Sequence, residues 1–146
     1  MKYIAGLLIP FYILCGNVNP ELISAESQKW TAGISSGGSG VNYKIILKLN
    51  SSNTNFDVLW TGNEKLEIKV NKYGSKPGIQ ETPEKGDTVV ITATRRILPD
   101  YKQTEEKEKI SIPEFQGEGL IEYHVGNKSK GLVIEKFEEK KPLKYQ

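Results

Sequence analysis

Few side chains in this sequence have a type and spacing that would support chemistry. The segment Gly33–Gly37 matches the pattern G-x-S-x-G, which in α/β-hydrolases places a nucleophilic serine on a sharp turn between a strand and a helix. Here a second glycine-rich stretch, Gly38–Gly40, follows directly, and a predicted strand comes next. Without a following helix, the segment predicts a glycine-rich hairpin loop rather than a nucleophile or a phosphate-binding site.

The single histidine, His124, is predicted to face solvent from a strand, because it lies between Tyr123 and Val125 in an alternating pattern. A catalytic histidine needs a nucleophile and an orienting group beside it, and a metal-binding histidine needs further ligands at matched spacing. Neither is visible around His124. The many carboxylates fall in charged runs, which are typical of solvated loops rather than of a paired acid–base site. We therefore expect no enzymatic activity, no metal and no cofactor.

Composition favours a single domain with an ordinary solvated surface. The chain has 146 residues, with 20 lysines and arginines against 18 aspartates and glutamates, and a net charge of +2. This balance does not favour a nucleic-acid partner, which usually selects a strongly basic domain. The only cysteine is Cys15, in the N-terminal apolar segment. The folded domain is therefore expected to depend on core packing without disulfides.

The N-terminus has the pattern of a signal peptide for export. Lys2 precedes an apolar run of 11 residues, Ile4–Leu14. A transmembrane helix needs about 20 apolar residues, so this shorter run indicates the core of a signal peptide. We expect residues 1–25 to form the leader and its tether, and residues 26–146 to form one domain.

Two positions are candidates for the end of the leader. Ala25 supplies the small residue that signal peptidase prefers. Alternatively, Cys15 is a lipidation candidate, as the lipid-modified first residue of a bacterial lipoprotein, and residues 16–29 would then form a polar tether. Leu14 departs from the small residue expected before such a cysteine. The sequence leaves both alternatives open, and any membrane contact would be made through the lipid anchor only.

From Trp30 onward the dominant pattern is alternation of apolar and polar residues, which is typical of strands with one face on a core. Gly-Asn pairs within Thr61–Glu64 and Gly126–Lys128 predict tight hairpin turns. No segment shows the apolar stripe of a helix. The predicted strands cover residues 28–34, 41–50, 56–61, 64–72, 87–97, 108–114, 118–125 and 131–138.

Seven or eight strands joined by hairpin turns predict an all-β fold. We expect an antiparallel β-sandwich that is immunoglobulin-like in general architecture, although the Cys–Trp–Cys hallmark is missing. The charged loop over residues 99–109 is expected to be mobile, and the tail after Glu138 is expected to be frayed.

Two sets of residues are candidates for ligand recognition. Aromatic side chains should lie mostly in the core, but Trp30 and Trp60 lie near strand ends and are candidate ligand aromatics. The glycine-rich loop should lie at one end of the sandwich, where binding loops usually occur. Its binding-loop candidates are Gly37, Gly38, Ser39 and Asn42.

Four segments carry a resemblance to other proteins: Gln28–Gly33, Gly37–Tyr43, Phe56–Trp60 and Lys85–Thr88. In them the chain resembles a group of small uncharacterised exported bacterial β-domain proteins, many of them lipid-anchored. The resemblance spans most of residues 28–137. It implies a location in the bacterial periplasm or at the cell surface, and it supports lipid modification of Cys15. It implies no activity.

The expected function is that of a non-enzymatic envelope module that binds a partner or serves as an accessory subunit. Export, the lack of catalytic residues and the expected tether support this hypothesis. The partner would be another envelope or extracellular protein, or a glycan. The alternative is a carbohydrate-binding module that uses exposed tryptophans.

Overall fold

The computed structural model describes residues 16–76, 78–97 and 110–145. The apolar run Ile4–Leu14, Cys15 and the loop expected over 99–109 lie outside these residues. Within them, one 3-10 turn at Ser35–Gly37 accompanies the strands, and no described helix is long and apolar enough to cross a membrane. The strands are β1 (Glu21–Thr31), β2 (Ser39–Lys48), β3 (Thr54–Thr61), β4 (Glu64–Lys72), β5 (Thr88–Ile97), β6 (Gly119–Val125), β7 (Lys128–Ile134) and β8 (Glu138–Lys144).

All eight strands belong to one curled sheet, a half-barrel with the strand order β7-β6-β3-β4-β5-β2-β1-β8. The predicted all-β class is confirmed. The sheet is mixed rather than wholly antiparallel, because β8 runs parallel to β1. The division into the two packed sheets of an immunoglobulin-like sandwich is not confirmed.

The sheet changes partners along β4. The first residues of β4, up to Glu67, pair with β3, and the residues from Ile68 onward pair with β5. One strand therefore belongs to two arms of the half-barrel, the first made of β3, β6 and β7 and the second of β5, β2, β1 and β8.

The hydrophobic core lies between these two arms. Every second side chain of a strand points to the same face, so the apolar sets of both arms meet on the concave face. Eight of these side chains are fully buried: Ile45, Leu47, Leu49, Leu59, Val89, Ile91, Ile121 and Ile134. Phe137, from the connection between β7 and β8, belongs to the same cluster.

Both predicted Gly-Asn turns are present as two-residue hairpin connections. Gly62 joins β3 to β4 and Gly126 joins β6 to β7, each with a φ of 59°. The asparagine that follows has no positive φ, so the positive φ falls only on the first central residue, as a type II′ turn requires. Glycine adopts this conformation without steric penalty.

Strand β1 begins earlier than the sequence predicts. It starts at Glu21, so the predicted boundary between residues 25 and 26 falls inside a strand. Residues 21–29 of the expected tether are likewise part of the sheet, which leaves only Gly16–Val18 as a connecting segment ahead of Asn19. The sequence misses this start because residues 24–29 have small or polar side chains without apolar alternation, and because the pairing with β2 is irregular between Leu22 and Ser24. Such a bulge inserts one residue and interrupts the alternation from which strands are predicted.

The C-terminal region also differs from the prediction. The strand predicted over 131–138 is two strands, β7 and β8, and the tail expected to be frayed pairs with β1 up to Lys144. All seven side chains of β8 are exposed, so no alternation marks it as a strand. In the strand predicted over 108–114, residues 110–114 form no strand, and residues 108 and 109 lie outside the described residues.

Candidate functional site

The concave face opens into a cleft at the end of the half-barrel where β1 ends and β2 begins. We call this end the mouth, and the opposite end, where the described chain begins, the base. The mouth cleft has a volume of about 730 Å³, within the range of small-molecule sites, and mouths of β-barrels are common binding sites. It is lined by Ser27, Lys29, Val41, Tyr43, Arg95, Glu118, Lys136, Phe137, Glu138 and Glu139.

Strand register places the charged residues of the cleft above the core. Lys29 of β1 pairs with Val41 of β2, and Val41 pairs with Arg95 of β5. Val41 lies two residues from Tyr43 along β2, so the side chains of both residues, and those of their paired neighbours, point to the concave face. The concave face therefore changes from an apolar core to a polar mouth within a few residues.

An aromatic pair forms the floor of the cleft. The ring centroids of Tyr43 and Phe137 are 4.9 Å apart, and Phe137 is only 3% exposed. The backbone N–H of Phe137 donates a 2.7 Å hydrogen bond to Oε2 of Glu118. Gly119 permits this approach, because a Cβ there would lie 2.9 Å from the Phe137 ring. The connection after β7 thus enters the space between the two arms and separates the cleft from the core.

Two of the cations that line the cleft, Arg95 and Lys29, are held in ion pairs. Arg95 makes a two-point contact with Glu64, with Nε 2.7 Å from Oε2 and a terminal nitrogen 2.9 Å from Oε1. Nζ of Lys29 lies 3.1 Å from a carboxylate oxygen of Glu139. The cleft therefore offers donors and acceptors of both signs with little net charge. This arrangement suits a polar ligand that is neutral or carries both signs of charge.

The predicted binding loop is held by its own backbone. The N–H of Ala32 donates to the carbonyl of Gly38, and the N–H of Gly37 donates to the carbonyl of Ile34, both at 3.0 Å. Gly38 has a φ of 73°, and a Cβ on Gly37 would overlap the side chain of Ala32. Both glycines are thus required by the loop conformation itself, so an alanine at either position would disturb the loop and is not a clean test of binding.

The other two binding-loop candidates are part of β2, not of the loop. Ser39 is the first residue of the strand. Asn42 alternates with the buried Tyr43 and lies on the convex face, where its Oδ1 accepts a 3.0 Å hydrogen bond from Thr94. Asn42 therefore lies on the face opposite to the concave mouth cleft.

The two tryptophans have different environments. Trp60 is 3% exposed and cannot serve as the platform proposed from the sequence. Trp30 is partly exposed on the convex face, where its ring lies 6.2 Å from that of Tyr145 in an edge-to-face arrangement. Trp30 is therefore the one candidate ligand aromatic of the two that a ligand could reach.

One pair of functional groups was not predicted from the sequence. Nδ1 of His124 lies 3.0 Å from Oδ2 of Asp57, because an irregularity between Phe56 and Val58 accompanies the pairing of β3 with β6. Ser129 is the cross-strand neighbour of His124, yet no hydrogen bond joins them in the described part of the chain. Among the described residues no three histidine, cysteine or carboxylate side chains converge on a metal position. Only the pairing of distant strands brings Asp57 to His124, so the sequence carries no local signal for the pair.

Comparison of the chain with known protein families, with curated proteins and with solved structures gave no match. A functional assignment therefore depends on the mouth cleft and on the contact between Trp30 and Tyr145 on the convex face.

Proposed function

We propose that this protein is an exported, non-enzymatic binding or accessory module of the bacterial envelope, and that its mouth cleft takes a segment of another envelope or extracellular protein. The observation that carries the proposal is the cleft of about 730 Å³ with charges of both signs at its rim and an aromatic floor. We also propose that the two arms serve as the halves of a sandwich that is immunoglobulin-like in general architecture, with the mouth as its binding end.

The rim charges support a polypeptide ligand. A peptide segment carries alternating backbone donors and acceptors and side chains of both signs, so it can replace ion pairs such as Lys29–Glu139 by equivalent contacts. A nucleic acid is a poor fit. The cations that line the cleft are matched by the carboxylates of Glu118, Glu138 and Glu139, so the cleft lacks the excess of positive charge that binding of phosphate groups requires.

The position of the mouth supports a role at a surface. The described chain begins at the base, and β1 has 11 residues, which span about 36 Å at about 3.3 Å per residue. A module held through its N-terminal side, by a lipid on Cys15 or by another anchor, would present the mouth cleft away from the membrane. A released form would have the same cleft free in the periplasm or outside the cell.

Site-specific photo-crosslinking in the native host tests the proposal. A crosslinking amino acid replaces Lys136, which is exposed at the rim of the cleft, and in a matched control replaces Lys85, which is exposed at the base. We expect a discrete crosslinked partner from position 136 and none from position 85. Equal products at both positions would contradict a role for the cleft.

The partner identified in this way is then purified and its affinity measured. We expect Lys136→Glu to weaken binding at least about tenfold, which corresponds to about 1.4 kcal/mol, and Lys85→Glu to leave binding unchanged. An unchanged affinity of Lys136→Glu for the purified partner would place the interaction elsewhere on the molecule.

A carbohydrate-binding module is the second candidate, and the exposed pair of Trp30 and Tyr145 favours it. Tyr145 is 51% exposed, and the two rings form an aromatic corner on the convex face. The indole Nε1 of Trp30 is buried, so a sugar would stack on the ring rather than accept a hydrogen bond from it.

Tryptophan fluorescence distinguishes this candidate from the first. Because Trp60 is buried, a shift on adding an oligosaccharide should be lost in Trp30→Phe and kept in Trp60→Phe. Flat titrations of the unmodified protein across a broad panel of glycans would exclude a carbohydrate site at Trp30.

A further inference from the structure

Residue Asn19 is built into the base of the half-barrel. Its side-chain Oδ1 accepts a 3.2 Å hydrogen bond from the hydroxyl of Tyr123 and a 2.6 Å hydrogen bond from Nζ of Lys130. Its backbone carbonyl accepts a 2.7 Å hydrogen bond from the side-chain amide of Asn50. A single residue ahead of β1 therefore connects β6, β7 and the turn that follows β2.

The residues after Asn19 are also part of the folded domain. Pro20 is buried. Pairing with β2 begins at Glu21 opposite Lys48 and continues to Ala25 opposite Ile45, and Ala25 packs against the hydrophobic core. Residues 21–25 are five of the 11 residues of β1.

Cleavage after Ala25 would remove all of these contacts. The lower half of β2, from Ile45 to Lys48, would lose its antiparallel partner on one side. The hydroxyl of Tyr123, on a side chain that is 3% exposed, would lose its acceptor. Buried polar groups without partners are strongly unfavourable in folded proteins, so a chain that begins at residue 26 lacks part of its own fold.

We infer that the leader ends before Asn19, so that the mature protein keeps residues 19–25 as part of its domain. This inference rests on the proposed export, because only an exported chain loses a leader. The reaction is hydrolysis of one peptide bond, either the bond between Val18 and Asn19 or one that precedes it. Water supplies the oxygen of the new carboxylate and a proton of the new amino group. The Ala25 site is excluded as the end of the leader, since it lies within a paired strand.

The intact mass of the mature protein, recovered after expression of the full chain in a bacterial host, tests the inference. We expect a chain that begins between Cys15 and Asn19, with or without an added lipid mass on Cys15. A chain that begins at Glu26 would overturn the inference and leave the proposed export intact. A chain that still begins at Met1 would overturn the export and the inference with it.

A second measurement does not depend on processing in the cell. In a leaderless chain that begins at Gly16, Asn19→Ala removes the acceptor for Tyr123 and Lys130, and Val18→Ala alters an exposed neighbour that is 43% accessible. We expect the denaturant midpoint to fall in Asn19→Ala and to stay unchanged in Val18→Ala. A leaderless chain that begins at Glu26 should have a lower denaturant midpoint than one that begins at Gly16. Equal midpoints for these two chains would overturn the inference.

Discussion

The indole ring of Trp30 lies against Gly40 on the neighbouring strand, leaving no space for a side chain between them. A Cβ at position 40 would come 2.7 Å from two atoms of the ring and would overlap the carbonyl oxygen of Arg95. Covering of a strand glycine by an aromatic ring is a known device for stabilising a sheet at a position without a side chain. The glycine-rich stretch that the sequence suggested as a binding loop thus ends in a residue with a packing role.

The substitution Gly40→Ala is expected to destabilise the domain by about 1–3 kcal/mol, since overpacking forces the ring and the backbone apart. Denaturant unfolding of the purified protein measures the change. Gly16→Ala is the matched control, because no atom lies within 4 Å of a Cβ built there. Equal losses in the two variants would show that the contact with Trp30 is unimportant.

Removal of the Phe137 side chain is expected to destabilise the domain by about 3–5 kcal/mol, as for other large buried aromatic residues. The ring is 3% exposed and packs on Tyr43, so Phe137→Ala leaves a cavity between the core and the mouth cleft. Thermal or denaturant unfolding measures this loss. Ile34→Ala provides the control, because Ile34 is 68% exposed. A loss below about 1 kcal/mol in Phe137→Ala would contradict its assignment as the floor of the cleft.

The carboxylate of Asp87 makes the stability of the domain depend on pH. Its Oδ2 accepts a 2.9 Å hydrogen bond from the backbone N–H of Glu84 and lies 3.2 Å from Nζ of Lys72. The hydrogen bond from Glu84, followed by the contacts with Lys72, lowers the pKa of Asp87 below its ordinary value. Because the folded state has the lower pKa, the stabilisation is complete above the unfolded pKa, about pH 4. It is lost as the pH falls through the folded pKa.

The variant Asp87→Asn is therefore expected to melt at a lower temperature than the unmodified protein at pH 7. The difference between the two should shrink steadily below about pH 4, where the carboxylate of the unmodified protein takes up its proton. Melting temperatures measured between pH 2 and pH 7 provide the test. A difference that stays constant over this range would show that the charge of Asp87 has no role.

Strand β8 is expected to be dispensable for the core and necessary for protecting the sheet edge. All seven of its side chains are exposed, and it is held by backbone pairing with β1 and by contacts such as that of Lys140 with Glu26, at 3.4 Å. A chain that ends at Phe137 should keep its β-sheet circular dichroism but expose the free edge of β1. Exposed strand edges promote association between chains.

Light scattering coupled to size-exclusion chromatography measures this association. We expect the chain that ends at Phe137 to form dimers or larger species at concentrations where the full chain has a smaller mass. Loss of the β-sheet signal would mean that β8 is required for folding, and an unchanged mass would mean that the edge is protected in another way.

Local patterns predicted the hairpin regions well and the ends of the sheet poorly. Strand β4 was predicted at its observed bounds, and β5 within one residue at its start, because each carries alternation next to a glycine turn. The start of β1 was missed because residues 24–29 are small or polar and because the irregularity between Leu22 and Ser24 interrupts the strand pattern. Strand β8 was missed because both of its faces are exposed, and such a strand is recognisable only from its pairing partner.

The candidate site was less predictable than the strands. The sequence identified Trp30 and Trp60 as equivalent candidates, and only packing separates a buried ring from a partly exposed one. The cleft residues Lys29, Arg95 and Glu118 have no distinctive spacing along the chain. They come together because β1, β2 and β5 are neighbours and because Phe137 anchors the connection opposite them.

The sequence by itself determined the all-β class, the Gly-Asn hairpins and the central strands, since alternation and glycine conformations act within a few neighbouring residues. The tertiary structure alone decided that the strands form one curled sheet, that β8 closes its edge and that Asn19 binds Tyr123, 104 residues away. These relationships depend on which distant strands bury their apolar faces together. Burial of apolar surface is non-directional, so the pairing of its strands is settled only when the whole core is assembled.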